Sequence, residues 1–290
     1  MRITCSDGRQ LSASWFGVNG ASRGVVVISG ALGVRRQFYS PLATFLASKG
    51  WEVLTFDFRG IGESSFDHPA RDPARMRDWG RYDLDAALGL AAARADGWHR
   101  VRLLGHSAGG HLTGLASAFQ SVPATLLIAS GTCYWRRYSW MHWPRMLAAW
   151  RLAVPLSLRV FGFAPAWLGV GAALPAGVAQ DWRDWSLRPD YLFDDPQLDV
   201  SGYQRYRGSV RALTIEDDTA YAPVAQVAHL LSHFPGAQIT CEHIAAKPMG
   251  HFGFFRTANA HHWARVTDWL AGTDIEVDAS SGHASAGHGV

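Results

Sequence analysis

The first sixteen residues alternate polar and apolar side chains around Asp7-Gly8, which is the spacing of a β-hairpin with one wet face and one buried face. From residue 24 the pattern changes. Short apolar runs at 24–28, 52–56, 101–104, 124–129, 210–215 and 238–244 alternate with segments whose apolar positions recur every three or four residues. A strand that is apolar on both faces needs cover on both, so the alternation predicts an α/β protein whose mostly parallel sheet lies between two layers of helices.

The helical stripes are explicit. Phe38, Leu42, Phe45 and Leu46 share a face in a segment that stops at Gly50, and Leu84, Ala87, Leu88 and Ala91 do so ahead of Gly97. Leu112, Leu115, Ala116 and Phe119 give a third stripe, Val227, Leu230, Leu231 and Phe234 a fourth, and Trp263, Val266 and Leu270 a last one before Gly272. Between about 131 and 206 the alternation ceases, and Trp135, Trp140, Trp143, Trp150, Trp167, Trp182 and Trp185 crowd together with Pro and Arg. That stretch is too long for a loop of a compact domain. The expected organisation is therefore a core domain of residues 1–130 and 207–272, a mainly helical Trp-rich cap at 131–206, and a disordered tail at 273–290, where Ser, Gly, Ala and His show no period.

Composition narrows the class. With 290 residues, 48% hydrophobic and 18% charged, the chain can bury a full core, and disorder is excluded for most of it. A net charge of +3, with arginines scattered along the chain, argues against nucleic-acid partners. Cys5, Cys133 and Cys241 are odd in number and far apart, and read as small buried hydrophobes in a reducing compartment. The N-terminus lacks the layout of a signal peptide, so a cytoplasmic location is expected. The uncharged stretch 161–180 contains Pro165, Pro175 and four glycines. A membrane crossing there would also separate the candidate catalytic residues, and no transmembrane segment is expected.

The chemistry centres on Gly105-His106-Ser107-Ala108-Gly109, which directly follows the run 101–104 and precedes a helical stripe. A strand that reverses sharply into a helix holds its central serine out above the sheet, and the small residues on either side let the chains pass. A serine hydroxyl needs a base to take its proton and a third group to orient that base. Glu216-Asp217-Asp218 closes the run 210–215, placing a carboxylate at the carboxyl end of a parallel strand, and Gly250-His251 follows the last run. An oxyanion also needs donors. The backbone N–H of Ala108 is one candidate, and that of Ala31, in Ser29-Gly30-Ala31-Leu32-Gly33, is the other. His106 and His111 flank the turn and point away from the serine, so they read as structural or pocket-lining. His261-His262 has no Asp, Glu or Cys at ligand spacing, so no metal and no cofactor is expected.

These motifs, in this order, resemble the α/β-hydrolase fold of serine hydrolases, the esterase, lipase and serine aminopeptidase group. The resemblance covers roughly residues 20–272 apart from the cap. It rests on Ser29-Gly30-Ala31, on Asp57-Phe58-Arg59-Gly60-Ile61-Gly62-Glu63-Ser64, on the 105–109 turn, on the acidic turn and on Gly250-His251. Two positions depart from the family's pattern. Serine stands at 29 where the family commonly has histidine, and Glu216 stands where its acidic turn has glycine. The resemblance implies Ser107 as nucleophile, His251 as base and Asp218 as the orienting acid. Asp218 is preferred to Asp217 because it lies nearer Pro223, as the family's acid does. It also implies that Asp57 and Arg59 brace a loop.

The expected function is hydrolysis of a carboxylic ester or thioester of an apolar acid through an acyl-enzyme, with a small-molecule substrate. A homo-oligomer is compatible with this reading. An acyltransferase or peptidase on the same triad, and a non-catalytic binding protein of the same fold, are the alternatives. The cap tryptophans would serve as the cap's own core, as a roof over the pocket, or, with Arg136, Arg137, Arg145 and Arg151, as a face resting on lipid.

Overall fold

The computed structural model describes residues 1–168 and 171–281. Its strands are β1 Arg2–Thr4, β2 Gln10–Phe16, β3 Val25–Ser29, β4 Glu52–Phe56, β5 Val101–His106, β6 Ala124–Ile128, β7 Phe163–Ala164, β8 Leu174–Pro175, β9 Ser209–Ile215 and β10 Gln238–Ile244. Eight of them form one sheet in the order β1-β2-β4-β3-β5-β6-β9-β10, and β7 and β8 form a small ladder of their own. The hairpin β1–β2 joins antiparallel to β4, and from β4 to β10 every pairing is parallel.

The central strands β3, β4, β5 and β6 are buried at every position, as unbroken apolar runs require when helices cover both faces. Helix Ser40–Ser48 packs on β4, Asp85–Arg94 on β3, Val224–Leu231 on β9 and Ala264–Ser281 on β6. The edge strand β10 is exposed along most of its length. Cys241 lies there in the open, contrary to the expectation that all three cysteines are buried.

Two further expectations change. The stripe Leu112 to Phe119 does not form one helix. A short helix Ala108–His111 gives way to the 3-10 turns Thr113–Leu115 and Ser117–Ser121. Glycines at 109, 110 and 114 weaken a helix, and Gly114 is pressed so closely on Tyr203 that a Cβ would stand 2.4 Å from its ring. Leu112, Ala116 and Phe119 remain buried nonetheless. At the other end, the last helix does not stop at Gly272 but runs to Ser281, so residues 273–281 of the expected disordered tail are helical. Thr273 explains the continuation, because its buried hydroxyl donates to the Leu270 carbonyl at 2.8 Å and accepts from Arg102 Nε at 2.9 Å. The remainder of that tail, 282–290, lies outside the described residues.

Between β6 and β9 the chain builds a helical layer. Helices Trp143–Ala148 and Val154–Phe161 are joined through a wider π turn, Ala149–Ala153, and are followed by Ala176–Ser186 and Ser201–Arg205. Asp181 of this layer is buried, and accepts from Arg77 Nη2 at 2.8 Å and from Arg75, both in the segment before helix Asp85–Arg94. No described helix is long and apolar enough to cross a membrane.

Candidate active site

The turn after β5 is tight in the way its glycines require. Ser107 sits at φ 52° and ψ −118°, a conformation that costs a non-glycine residue of order 1–3 kcal/mol and persists only where its surroundings hold it. Its N–H donates to the Ile128 carbonyl at 3.1 Å, and its carbonyl accepts from Gly110 N–H at 2.9 Å. A Cβ on Gly105 would lie 2.6 Å from Gly110 Cα, and one on Gly109 would lie 2.2 Å from the Ser29 carbonyl oxygen. The pentapeptide's small residues are therefore a packing requirement of the bend that presents the serine.

His251 and Ser107 line one cavity of about 250 Å³. The His251 ring is held from two sides. Its Nδ1–H donates to Asp218 Oδ2 at 2.6 Å, with both residues buried, and its face stacks on Tyr221 at 4.7 Å. Asp218 Oδ1 in turn accepts from the N–H groups of Tyr221 and Ala222, each at 3.2 Å. The neighbouring Asp217 has a different task. Its two oxygens accept from Met249 N–H at 2.9 Å and Gly250 N–H at 2.7 Å, and so clamp the loop that carries the histidine. Burial pushes the Asp217 carboxyl upward, but those two backbone donors, with Lys247, outweigh it and hold the group below its ordinary range. Glu216 points outward to Lys247 at 2.8 Å.

Of the two expected oxyanion donors, Ala108 opens the helix after the serine, where a first-turn N–H has no intrahelical acceptor. The structure departs from expectation at Ala31. Its N–H donates to the Tyr39 hydroxyl at 2.7 Å and is therefore engaged. The Tyr39 hydroxyl in turn donates to His106 Nδ1 at 2.9 Å, which leaves His106 Nε2–H to donate to the His251 carbonyl at 3.0 Å. Burial, and next the proximity of His251, hold the His106 imidazole well below its usual range, so it stays neutral, as this pattern requires. His111 is likewise buried, pushed down to about 4, with its Nδ1–H on the Gly131 carbonyl at 3.1 Å. Both rings have their nitrogens engaged by partners other than Ser107.

Asp57 and Arg59 brace neighbouring segments. Asp57 is fully buried and accepts from Arg36 N–H at 2.6 Å and from Glu63 N–H at 3.1 Å, while Arg59 bridges Asp83 and Asp7 at 2.7 and 2.6 Å. The tryptophans of the helical layer divide among roles. Trp185 is core, Trp150 and Trp182 meet edge to face and line the cavity, and Trp140 and Trp167 face outward. Met146, Ala149, Val154 and Leu168 complete an apolar roof opposite Ala31, Leu32 and Ala108. Tyr39, the clamp of Asp217 and the Tyr221 stack carry no sequence motif, because each acts through a contact between distant segments.

A parallel sheet with antiparallel β1 and β2 at one edge, and a serine turn beyond β5, defines an α/β-hydrolase. The serine aminopeptidase S33 family profile matches residues 20–207. That is more than half of the chain, and the protein belongs to this family. No curated protein matches it in sequence. Among solved structures, an esterase from Exiguobacterium antarcticum superposes with a TM-score of 0.61 at 16% identity, covering 93% of this chain and 99% of that one. A soluble variant of monoglyceride lipase from Saccharomyces cerevisiae, bound to a substrate analog, gives 0.65 at 15% identity, covering 92% and 93%. A Paleococcus ferrophilus monoacylglycerol lipase gives 0.59 at 16%, covering 91% and 99%. At such identities the likeness is one of fold.

Proposed function

We propose that this protein is a serine hydrolase that cleaves carboxylic ester or thioester bonds of apolar acyl substrates through an acyl-enzyme. The observation that carries the reading is the buried His251–Asp218 pair at 2.6 Å in the cavity that also presents Ser107 on a strained turn. Ser107 attacks the carbonyl carbon. His251 accepts the serine proton and returns it to the leaving group, Asp218 orients the ring and stabilises its cation, and water then repeats the sequence on the acyl-enzyme. Catalytic hydrogen bonds of this kind tighten as substrate enters. For the oxyanion, the N–H of Leu32, which has no hydrogen bond among the described residues, takes the place expected of Ala31, alongside Ala108. Both Ala31 and Leu32 line the cavity, but the Ala31 N–H is tied to Tyr39.

The segment 131–206 serves as the cap, and its apolar roof selects an apolar acyl group. The esterase and lipase activities named for the structural neighbours agree with this choice. The family name also raises the peptidase alternative, but an aminopeptidase must hold a free α-ammonium group. Among the described residues no Asp or Glu lines the cavity, and Arg145 brings a positive charge to it. An ester substrate fits that lining better. A fluorophosphonate probe tests the reading: wild type labels, and Ser107→Ala folds but neither labels nor turns over nitrophenyl esters, with a loss of about 10⁴-fold or more. A folded wild-type protein that never labels would make this a binding protein.

A further inference from the structure

Far along the sequence from the triad, three ligand-type side chains meet. His229 Nε2 and His233 Nε2 stand 2.8 and 3.1 Å from the same oxygen of Asp190, Oδ1, with the two rings nearly perpendicular. All three donor atoms lie within 4.8 Å of one another. His229 belongs to helix Val224–Leu231 of the core, His233 follows it, and Asp190 comes from the segment between β6 and β9.

The hydrogen bonds around His229 fix which of its nitrogens carries a proton. Gln226 Nε2 donates to the Tyr134 carbonyl at 2.7 Å, so Gln226 Oε1 is the end that faces Thr132. The Thr132 hydroxyl therefore donates to Oε1, at 2.7 Å, and has only lone pairs left for His229. His229 Nδ1, 3.0 Å away, must then be the N–H donor. In the neutral ring, Nε2 is bare, and its lone pair points at a carboxylate oxygen 2.8 Å away. Two acceptors at that distance repel unless a cation lies between them. Thr132 and Gln226 are fully buried, so this arrangement is built and not incidental. It is also how a metal-binding histidine is oriented, by a partner on its other nitrogen. His233 is fixed differently, its ring lying flat on Phe193.

We propose that Asp190, His229 and His233 bind one divalent transition-metal ion of the zinc type, which fastens the segment 131–206 to helix Val224–Leu231. Two imidazoles and a carboxylate suit zinc, with solvent as the fourth ligand, since Asp190 is partly exposed. Tetrahedral zinc holds its ligand atoms roughly 3.3 Å apart, from bonds of about 2.0–2.1 Å, so the two nitrogen–oxygen separations need open only a few tenths of an ångström, while the two nitrogens lie within 4.8 Å of each other. Asp194 adds a second carboxylate beside the site, its Oδ2 accepting from the Asp190 N–H at 2.8 Å. The Arg137 guanidinium, which donates to the Pro189 carbonyl at 2.5 Å, is the opposing charge nearby. The site does not depend on the reaction proposed for Ser107.

The test uses the full chain, stripped with chelator and titrated with zinc chloride by calorimetry, with thermal unfolding followed in parallel. Wild type is expected to take up one equivalent of zinc and to unfold several degrees higher with it. His233→Ala and Asp190→Asn, each checked for native circular dichroism, are expected to lose at least 100-fold in zinc affinity and the thermal shift with it. Thr132→Val is expected to lose 10- to 100-fold by releasing His229. Zinc uptake that survives both His233→Ala and Asp190→Asn, or no uptake by wild type, overturns the proposal. In the latter case a proton bridges His229 and Asp190 instead.

Discussion

Tyr39 reaches His106 through a 2.9 Å hydrogen bond from its hydroxyl to Nδ1, and through it the loop after β3 is coupled to the backbone of His251. The relay runs from Ala31 N–H to Tyr39, from Tyr39 to His106, and from His106 Nε2–H to the His251 carbonyl. Tyr39 and His106 are buried, so removing the hydroxyl leaves the Ala31 N–H and His106 Nδ1 without partners. Each such loss costs about 1–3 kcal/mol. Tyr39→Phe is expected to lower the melting temperature and to reduce kcat about tenfold, with KM nearly unchanged. A kcat equal to wild type, measured on a short nitrophenyl ester, would show that the relay holds the fold without positioning the site.

The two adjacent carboxylates make a sharper test, because the structure gives them separate tasks. Asp218 bonds the imidazole, and Asp217 bonds the loop backbone. Asp218→Asn keeps the shape but favours the wrong tautomer of His251, and kcat is expected to fall about 10³- to 10⁴-fold. Asp217→Asn is expected to cost less than tenfold in kcat and to show its effect as a lower melting temperature. If the two variants exchange these phenotypes in a kinetic and thermal comparison, the assignment of the acid is reversed.

How much of this was legible in the sequence depends on the range of the interaction. Strands β3, β4, β5, β6 and β9 follow from apolar runs that only a doubly covered sheet can bury, and the serine turn follows from glycines whose Cβ atoms would collide. That Asp218 and His251 meet was readable because the end of a parallel strand and the loop beyond the last strand are fixed places in the fold. The engagement of the Ala31 N–H was not legible, because nothing local reveals that Tyr39, eight residues later, folds back onto it. The stripe Leu112–Phe119 kept its buried positions and lost its helix for a similar reason: Tyr203 arrives from far along the chain and crowds Gly114. The three-ligand cluster escaped notice because Asp190 is brought to His229 and His233 only by tertiary packing.

The outer surface of the helical layer carries an apolar row. Leu152, Leu156 and Val160 are four residues apart and share a face, yet each is more than 60% exposed, and Trp167 is exposed to 72%. Arg145 and Arg151 stand exposed along the same segment. An apolar row flanked by cations suits the boundary between lipid and water, the third role considered for this segment. Leu156→Glu combined with Val160→Glu is expected to leave turnover of a soluble short-chain ester within twofold of wild type, and to reduce turnover of a dispersed long-chain nitrophenyl ester about tenfold. Equal turnover of the dispersed substrate by both proteins would assign the row another purpose.

Acid should destabilise the protein in a window set by its buried neutral histidines. His111 has an ordinary value of 6.5 when exposed in the unfolded chain, and burial pushes it down to about 4 in the fold, despite the hydrogen bond to Gly131. Between those values the unfolded state binds more protons than the native state, so stability rises with pH and falls as pH drops from 6.5 toward 4. Below about 4 both states are protonated at this ring, and its contribution is gone. For this one residue the difference amounts to ~3 kcal/mol. His106, held down in the same direction by burial, adds to the slope. His111→Gln cannot titrate, although it also loses the contact to Tyr191. The variant is therefore expected to melt lower than wild type at pH 7.5 and to lose less between pH 6.5 and 4. Scanning calorimetry of both proteins across that range checks the difference in slope, in which every other titrating group cancels. Parallel curves would mean that His111 is protonated in the folded state, and that its bonds to Gly131 and Tyr191 are not those of a neutral ring.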